Sequence, residues 1–312
     1  MSKVNLTFPV CIFVLFLFFS CTQTEEKTTE QRLYSISFQL IKDFEVLPFS
    51  RTKSIPTNKP AEPHAKEEQE NASLFSQIEY LVYHKESGSV VKSQSLTENN
   101  SDDFGMYIYD QLEAGTYTIV LFAHSASNLS LLGNEAQFQE MTDAFCATKD
   151  VVVGAEDEGD PIEITLKRLV AKVELVGTKS VPANAAKFIV EVEEHYRSIL
   201  LRNAETTTSG TLKKEYPLAG GINPADAPAY SFYTFVPEPI SGDTAYLSGI
   251  KLTTLDINED TLHTIKLRAV PVVKNRVTRY SGSLYTPNTY TGTLALDVED
   301  YGHWRDTINV PI

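Results

Sequence analysis

The sequence predicts an all-β protein built of two successive β-sandwiches, and three observations carry that expectation. Apolar residues recur at every second position in one run after another, sustained helical periods are scarce, and turn residues separate the runs at hairpin spacing. At 312 residues the chain exceeds the usual single-domain size, and two domains of about 140 residues each would both be large enough to bury a core.

The amino-terminal segment is different in kind. Lys3, an apolar run from Val10 to Phe19 and the small residue Ser20 precede Cys21, and the polar, acidic stretch Thr22 to Glu30 follows it. This order reads as a lipoprotein signal peptide over residues 1–20, cleaved between Ser20 and Cys21, whose thiol would then carry a lipid. The apolar run falls short of the roughly 20 residues a membrane-spanning helix requires. Phe18 stands where Leu is commoner, so ordinary signal cleavage is the alternative. Residues 21–31 then form a lipidated, solvated leader with no hydrophobic period.

The ordered chain divides into an N-terminal sandwich, 32–168, and a C-terminal one, 169–312. The first contains an early strand, Leu33 to Leu40, a long polar and proline-bearing loop from Ser50 to Asn71, and then the alternating runs around Ile78–Tyr83 and Tyr117–Ala123. The run at Ile78–Tyr83 is expected to be half buried and that at Tyr117–Ala123 central, with both faces covered. Gly88 and the pair Ala114 and Gly115 mark turns. Asn134 to Ala144, with Phe138 and Met141 three apart, is expected as one short helix or an irregular loop.

Between Ile162–Leu166 and Ala171–Leu175 the apolar phase slips by one residue, at Arg168 to Val170. A continuous strand would send the two sets to opposite faces, so the crossover between the sandwiches is expected there. Further strands are predicted at Phe188–Val192, Ser231–Val236, Tyr246–Leu255, Thr261–Val270, Ser281–Tyr285 and Gly292–Val298, with a last one at Thr307–Ile312. In that last run Ile308, Val310 and Ile312 share a face. Its residues alone favour an edge strand of its own sheet, which suits Pro311, and an insertion element is the alternative.

Charge and motifs narrow the function. A net charge of −14 argues against nucleic acid and anionic membrane as partners. The three cysteines are Cys11 within the signal, Cys21, and Cys146, so the mature chain has no pair of ordinary thiols to bridge, and Cys146 reads as a small buried hydrophobe. The six histidines lack metal-ligand spacing, and Asp256, Asn258 and Asp260 lack the glycine and glutamate of a calcium loop, so DINED reads as a hairpin turn. No nucleophile motif, metal site or cofactor motif is found, and no enzyme is expected. Tyr107, Tyr109, Tyr280, Tyr285, Tyr290, Tyr301 and Trp304 offer aromatic faces suited to sugars or protein partners, although most such residues in a sandwich pack inward.

The order of Cys21, AGTYTIVLFAHS, DAFCATKDVVV, ITLKRLVAKVEL, VPANAAKFIVEV and VVKNRVTRYSGSLYT resembles the fimbrillin-type family of Bacteroidales surface fimbriae, above all its lipoprotein anchor and minor subunits. The resemblance implies two transthyretin-like β-sandwich domains and a structural role at the outer membrane, with other fimbrial subunits as partners joined by strand exchange. It also implies that a shaft subunit loses its first strand to a cut after an arginine. Arg51, followed by Thr52, occupies such a place, with Arg32 as a second candidate; by its residues alone Arg51 is a surface arginine. Ile308, Val310 and Ile312 would be the pocket-filling face of a donor strand. The rival expectation is a glycan-binding surface lipoprotein, and a polymerising shaft or tip subunit cut after Arg51 is the other.

Overall fold

A computed structural model describes residues 32–42, 74–154, 159–223, 229–239, 242 and 244–285. Its regular elements are all strands. The first half contains β1 (Leu33–Lys42), β2 (Gln77–His84), β3 (Val90–Leu96), β4 (Tyr107–Glu113), β5 (Gly115–His124), β6 (Leu129–Leu132), β7 (Glu135–Phe138), β8 (Ala144–Val153) and β9 (Ile162–Arg168). The second contains β10 (Val170–Gly177), β11 (Ala185–Tyr196), β12 (Ser198–Leu200), β13 (Glu205–Thr206), β14 (Ser209–Pro217), β15 (Tyr230–Phe235), β16 (Ala245–Asp256), β17 (Thr261–Val272) and β18 (Val277–Gly282).

Seven strands of the first half form one sheet in the order β3-β2-β5-β8-β9-β1-β4. β8 and β9 share only two register pairs, Phe145 with Arg168 and Cys146 with Lys167, and there the sheet folds over. Its two leaves close on one core that includes Phe38, Tyr80, Ile108, Ile119, Phe145 and Leu166. The second half repeats the plan as a sheet β14-β11-β16-β17 facing a sheet β15-β10-β18, around Phe188, Tyr230, Leu247 and Tyr285.

The repetition extends to strand direction. β1 runs antiparallel to β4 and parallel to β9, and β10 runs antiparallel to β15 and parallel to β18. In each half, then, the first strand lies between a mid-chain strand and the last described one. Parallel neighbours cannot be joined by a tight hairpin, so each half must return its chain across the whole fold before closing.

The strands left over are the insertions. β6 and β7 come from the first half and β12 and β13 from the second, and together they form a separate sheet, β13-β12-β7-β6. Ile199 pairs with Ala136 at its centre. Beneath it lies a third core that mixes both halves, with Leu81, Tyr83, Phe122 and Phe138 from one and Val170, Ile199, Phe235 and Val277 from the other. Phe138 stands 5.9 Å from Phe122 and 5.6 Å from Phe235 in tilted or edge-on geometry, contacts worth about 0.5–1.5 kcal/mol each beyond area burial.

This third core explains the departures from expectation. Asn134–Ala144 holds no helix: Glu135–Phe138 is strand β7, because pairing with β12 supplies its backbone partners. β2, expected to be half buried, is covered on both faces, since Leu81 and Tyr83 reach into the shared core. β5 is buried on both faces, in keeping with its continuous apolar run. The strand expected at Ser281–Tyr285 lies earlier, at Val277–Gly282. Gly88 turns the β2–β3 hairpin at a φ of 68°, a backbone region that glycine enters without cost.

At the phase slip, the chain leaves β9 at Arg168 and enters β10 at Val170, passing from one sheet to another. Arg168 is fixed there by three groups. Its Nε bonds Asp143 Oδ1 at 2.9 Å, its Nη1 donates to Asn275 Oδ1 at 2.8 Å, and its guanidinium lies 4.9 Å from the Phe145 ring centre.

Candidate functional site

The candidate site is the seat of β1. Its sequence LYSISFQLIK alternates, so Ile36, Phe38 and Leu40 turn into the core while Ser35, Ser37 and Gln39 turn outward. Phe38 is fully enclosed and meets Tyr80 at 6.1 Å between ring centres. Pairing with β4 covers Leu33 to Gln39, whereas pairing with β9 begins only at Phe38 and runs to Lys42. At the far end the Lys42 ammonium lies 5.4 Å from the Phe75 ring centre. β1 is therefore held by ladder bonds on both sides and by alternate side chains enclosed in the core.

An open groove of about 920 Å³ runs beside β1, lined by Ser35, Ile36 and Ser37 from that strand and by Tyr109, Asp110 and Gln111 from β4. Asp110 falls on the buried phase of β4, where an unpaired carboxylate would be costly. Its oxygens accept the Tyr80 hydroxyl at 2.8 Å, the Gln111 amide at 2.7 Å and the Lys92 ammonium. Burial, with the adjacent Asp110 charge, pushes the Tyr80 phenol well above its ordinary range, so Tyr80 stays a donor. This network ties β4 to β2 and β3 across the sandwich. One signal in the sequence could have found it: in YIYDQLE the aspartate shares the phase of Ile108 and Leu112.

Of the residues singled out from the sequence, Ser20, Cys21, Arg51, Thr52, Ile308, Val310 and Ile312 lie outside the described residues, as do Tyr290, Tyr301 and Trp304. Arg32, directly before β1, is exposed. Tyr280 and Tyr285 prove to be core residues rather than surface platforms, with the Tyr285 and Tyr230 hydroxyls 3.1 Å apart in the second half's core. Tyr107 and Tyr109 lie on the outer phase of β4, and Tyr109 is 65% exposed. His124 ends β5 fully buried; its Nδ1 accepts the Ala126 amide at 3.1 Å, and its Nε2 lies 3.4 Å from Glu79 Oε1. Asp256–Asp260 is the β16–β17 turn, closed by the Asp256 amide donating to the Asp260 carbonyl at 3.0 Å.

Residues 34–237 match the family model of the fimbrillin-A associated anchor proteins Mfa1 and Mfa2. The chain belongs to this family. The match begins within β1 and runs past β15, so it takes in most of β1, all of the inserted sheet and the shared core apart from Val277. The fimbrillin-A associated anchor family is one of structural fimbrial proteins rather than enzymes. Among solved structures, similar chains include a candidate adhesin from Bacteroides ovatus (12% identity, TM-score 0.47, 75% of this chain and 77% of that one). The fimbrial anchor protein Mfa2 from Porphyromonas gingivalis is another (11% identity, TM-score 0.42, 77% and 84%). A fimbrial assembly protein from Parabacteroides distasonis is a third (11% identity, TM-score 0.43, 81% and 92%). A search of curated proteins finds no match.

Proposed function

We propose that this chain is an anchor or minor subunit of a surface fimbria, held at the outer membrane by a lipid on Cys21 and joined to the next subunit by β-strand donation. The observation that carries the reading is family membership across a region that contains the β1 seat. Strand exchange needs a strand held by ladder bonds and by alternate side chains, and β1, with Ile36, Phe38 and Leu40 as its inward side chains, is held in that way. Ile308, Val310 and Ile312 offer the same alternation for a donor strand. The two halves, with their repeated strand plan, are read as two transthyretin-like domains, 32–168 and 169–312.

Whether the chain is an anchor or a shaft or tip subunit turns on β1. An anchor keeps both the lipid and β1, whereas a cut between Arg51 and Thr52 would separate β1 covalently from the remaining strands. The test is to purify surface fibres from the native cell and define this chain's N-terminus by mass spectrometry. Acylated Cys21 in the fibre fraction is the expected result. A terminus at Thr52 would replace the anchor with a polymerising subunit, and fibres lacking the chain would remove the fimbrial reading altogether.

A further inference from the structure

We propose that the chain is built to resist tension between its two ends, with the parallel strand pairs β1–β9 and β10–β18 as two mechanical clamps set in series. That a fibre supplies such tension rests on the proposed anchor role. The resistance itself is a property of the strand order, and it is tested on the isolated protein.

The chain enters the first half at the start of β1 and leaves it at the end of β9, and these strands are parallel neighbours paired from Phe38 with Ile162 to Lys42 with Leu166. It enters the second half at the start of β10 and leaves the described strands at the end of β18. These too are parallel neighbours, paired from Lys172 with Val277 to Gly177 with Gly282. In a parallel pair the start of one strand and the end of the other lie at opposite ends of the ladder. Pulling on those two ends slides one strand lengthwise past the other, so the evenly spaced bonds share the load. In an antiparallel pair such as β16 and β17 the corresponding ends lie together, and pulling opens the ladder one bond at a time.

Side chains oppose the sliding as well. β1 would have to draw Phe38 and Leu40 out of the first core, and β10 would have to draw Val173 and Leu175 out of the second. A shift of a single residue turns such a set to the outer face. Across the second clamp Glu174 and Arg279 are register partners, and the guanidinium Nη2 and Nε donate to Glu174 Oε2 at 2.7 and 3.1 Å. The β10 ladder is bonded at both its ends, with the Lys172 amide donating to the Arg276 carbonyl at 3.1 Å and the Thr178 amide to the Gly282 carbonyl at 2.7 Å. Load in a sheared joint concentrates at its ends, so these two bonds carry the largest share.

The junction between the clamps is braced. Only Leu169 separates β9 from β10, so tension passes from one clamp to the next without slack. Arg168, on one side of it, donates to Asp143 and Asn275, and the carbonyl of Val170, on the other, accepts the Asn275 amide at 2.9 Å. The pairing of β7 with β12 ties the two halves a second time. Tension therefore reaches the second clamp through a fixed joint rather than a loose linker.

The test is single-molecule pulling of the mature chain carrying Cys21→Ser, through handles on pairs of introduced cysteines; Cys146 is buried and takes no handle. Arg32→Cys with Lys167→Cys, both at exposed positions, loads the first clamp lengthwise, and Lys167→Cys with Thr286→Cys loads the second. Arg32→Cys with Ala114→Cys is the comparison, since the start of β1 and the end of β4 lie together in an antiparallel pair and separate by peeling. At one pulling speed both lengthwise pairs should rupture at higher force than the peeling pair, with a length gain of up to roughly 3.4 Å per residue held between the handles. Rupture force follows the rate of unfolding. Thr178→Pro, which removes one end bond of the second clamp at an exposed position, should lower the force across the second clamp and leave the first unchanged, whereas Thr178→Ala, which keeps the amide, should match the parent. Thermal unfolding checks that each variant is folded, and Arg279→Gln, which removes the cross-strand ion pair, takes the place of Thr178→Pro if the latter is not. Lengthwise forces no higher than the peeling force, or a second clamp as strong in the weakened variant as in Thr178→Ala, would each overturn the proposal.

Discussion

Arg168 of β9 and Asn275 of the β17–β18 turn are joined by a 2.8 Å hydrogen bond between positions 107 residues apart. The bond links the first half's folded-over leaf to the second half, and Asn275 is suited to the task. At a φ of 60° it adopts the left-handed backbone that asparagine tolerates, which lets its amide donate to the Val170 carbonyl at 2.9 Å while its side chain accepts from Arg168. On the other side of Arg168, burial raises the Asp143 carboxyl above its ordinary range despite the guanidinium beside it.

Replacing Arg168 should therefore be severe. Arg168→Met leaves Asp143 enclosed without its counter-charge, and a loss of about 3–5 kcal/mol in urea unfolding is expected. Asn275→Gly preserves the backbone and removes one charge-assisted bond, so about 1.5–3 kcal/mol is expected. A smaller loss for Arg168→Met than for Asn275→Gly would show that the pair does not act through Asp143.

Acid sensitivity should come in part from Glu174. Burial alone would raise its carboxyl, but Lys172, at 2.6 Å, and Arg279, at 2.7 Å, outweigh that and hold it below the ordinary range. The unfolded chain then takes up the proton first as pH falls. Stability from this group is full above the unfolded value and is lost as pH falls through the depressed folded one. Urea unfolding from about pH 6 down to about pH 3 should show a decline, and Glu174→Gln should flatten it. An unchanged slope in the variant would assign the decline to other carboxylates.

Cys146 should be chemically silent in the folded protein. Burial pushes its thiol up to about 12, and the thiolate is the reactive form. Iodoacetamide at neutral pH should leave the native chain unlabelled at this position and label it fully in denaturant, as read by peptide mass spectrometry. Labelling of the native chain at the denatured rate would mean that the shared core opens.

What could be read in advance was the alternation of the strands. Strand type, the alternating sets Ile162, Ile164, Leu166 and Ala171, Val173, Leu175 with the phase slip between them, and the turns at Gly88 and Asp256–Asp260 were legible, because alternation and turn chemistry act over a few neighbouring residues. The β1 seat was legible as a strand but not as a place between β4 and β9. Folding in three dimensions set β1 beside β9 in parallel, paired β7 with β12, and brought Asp110 to Tyr80 and Arg168 to Asn275. Those choices join residues 30 to 124 positions apart. No local period encodes such a partner, since many registers satisfy the same alternation. The one that forms is the one that packs both insertions over the shared core.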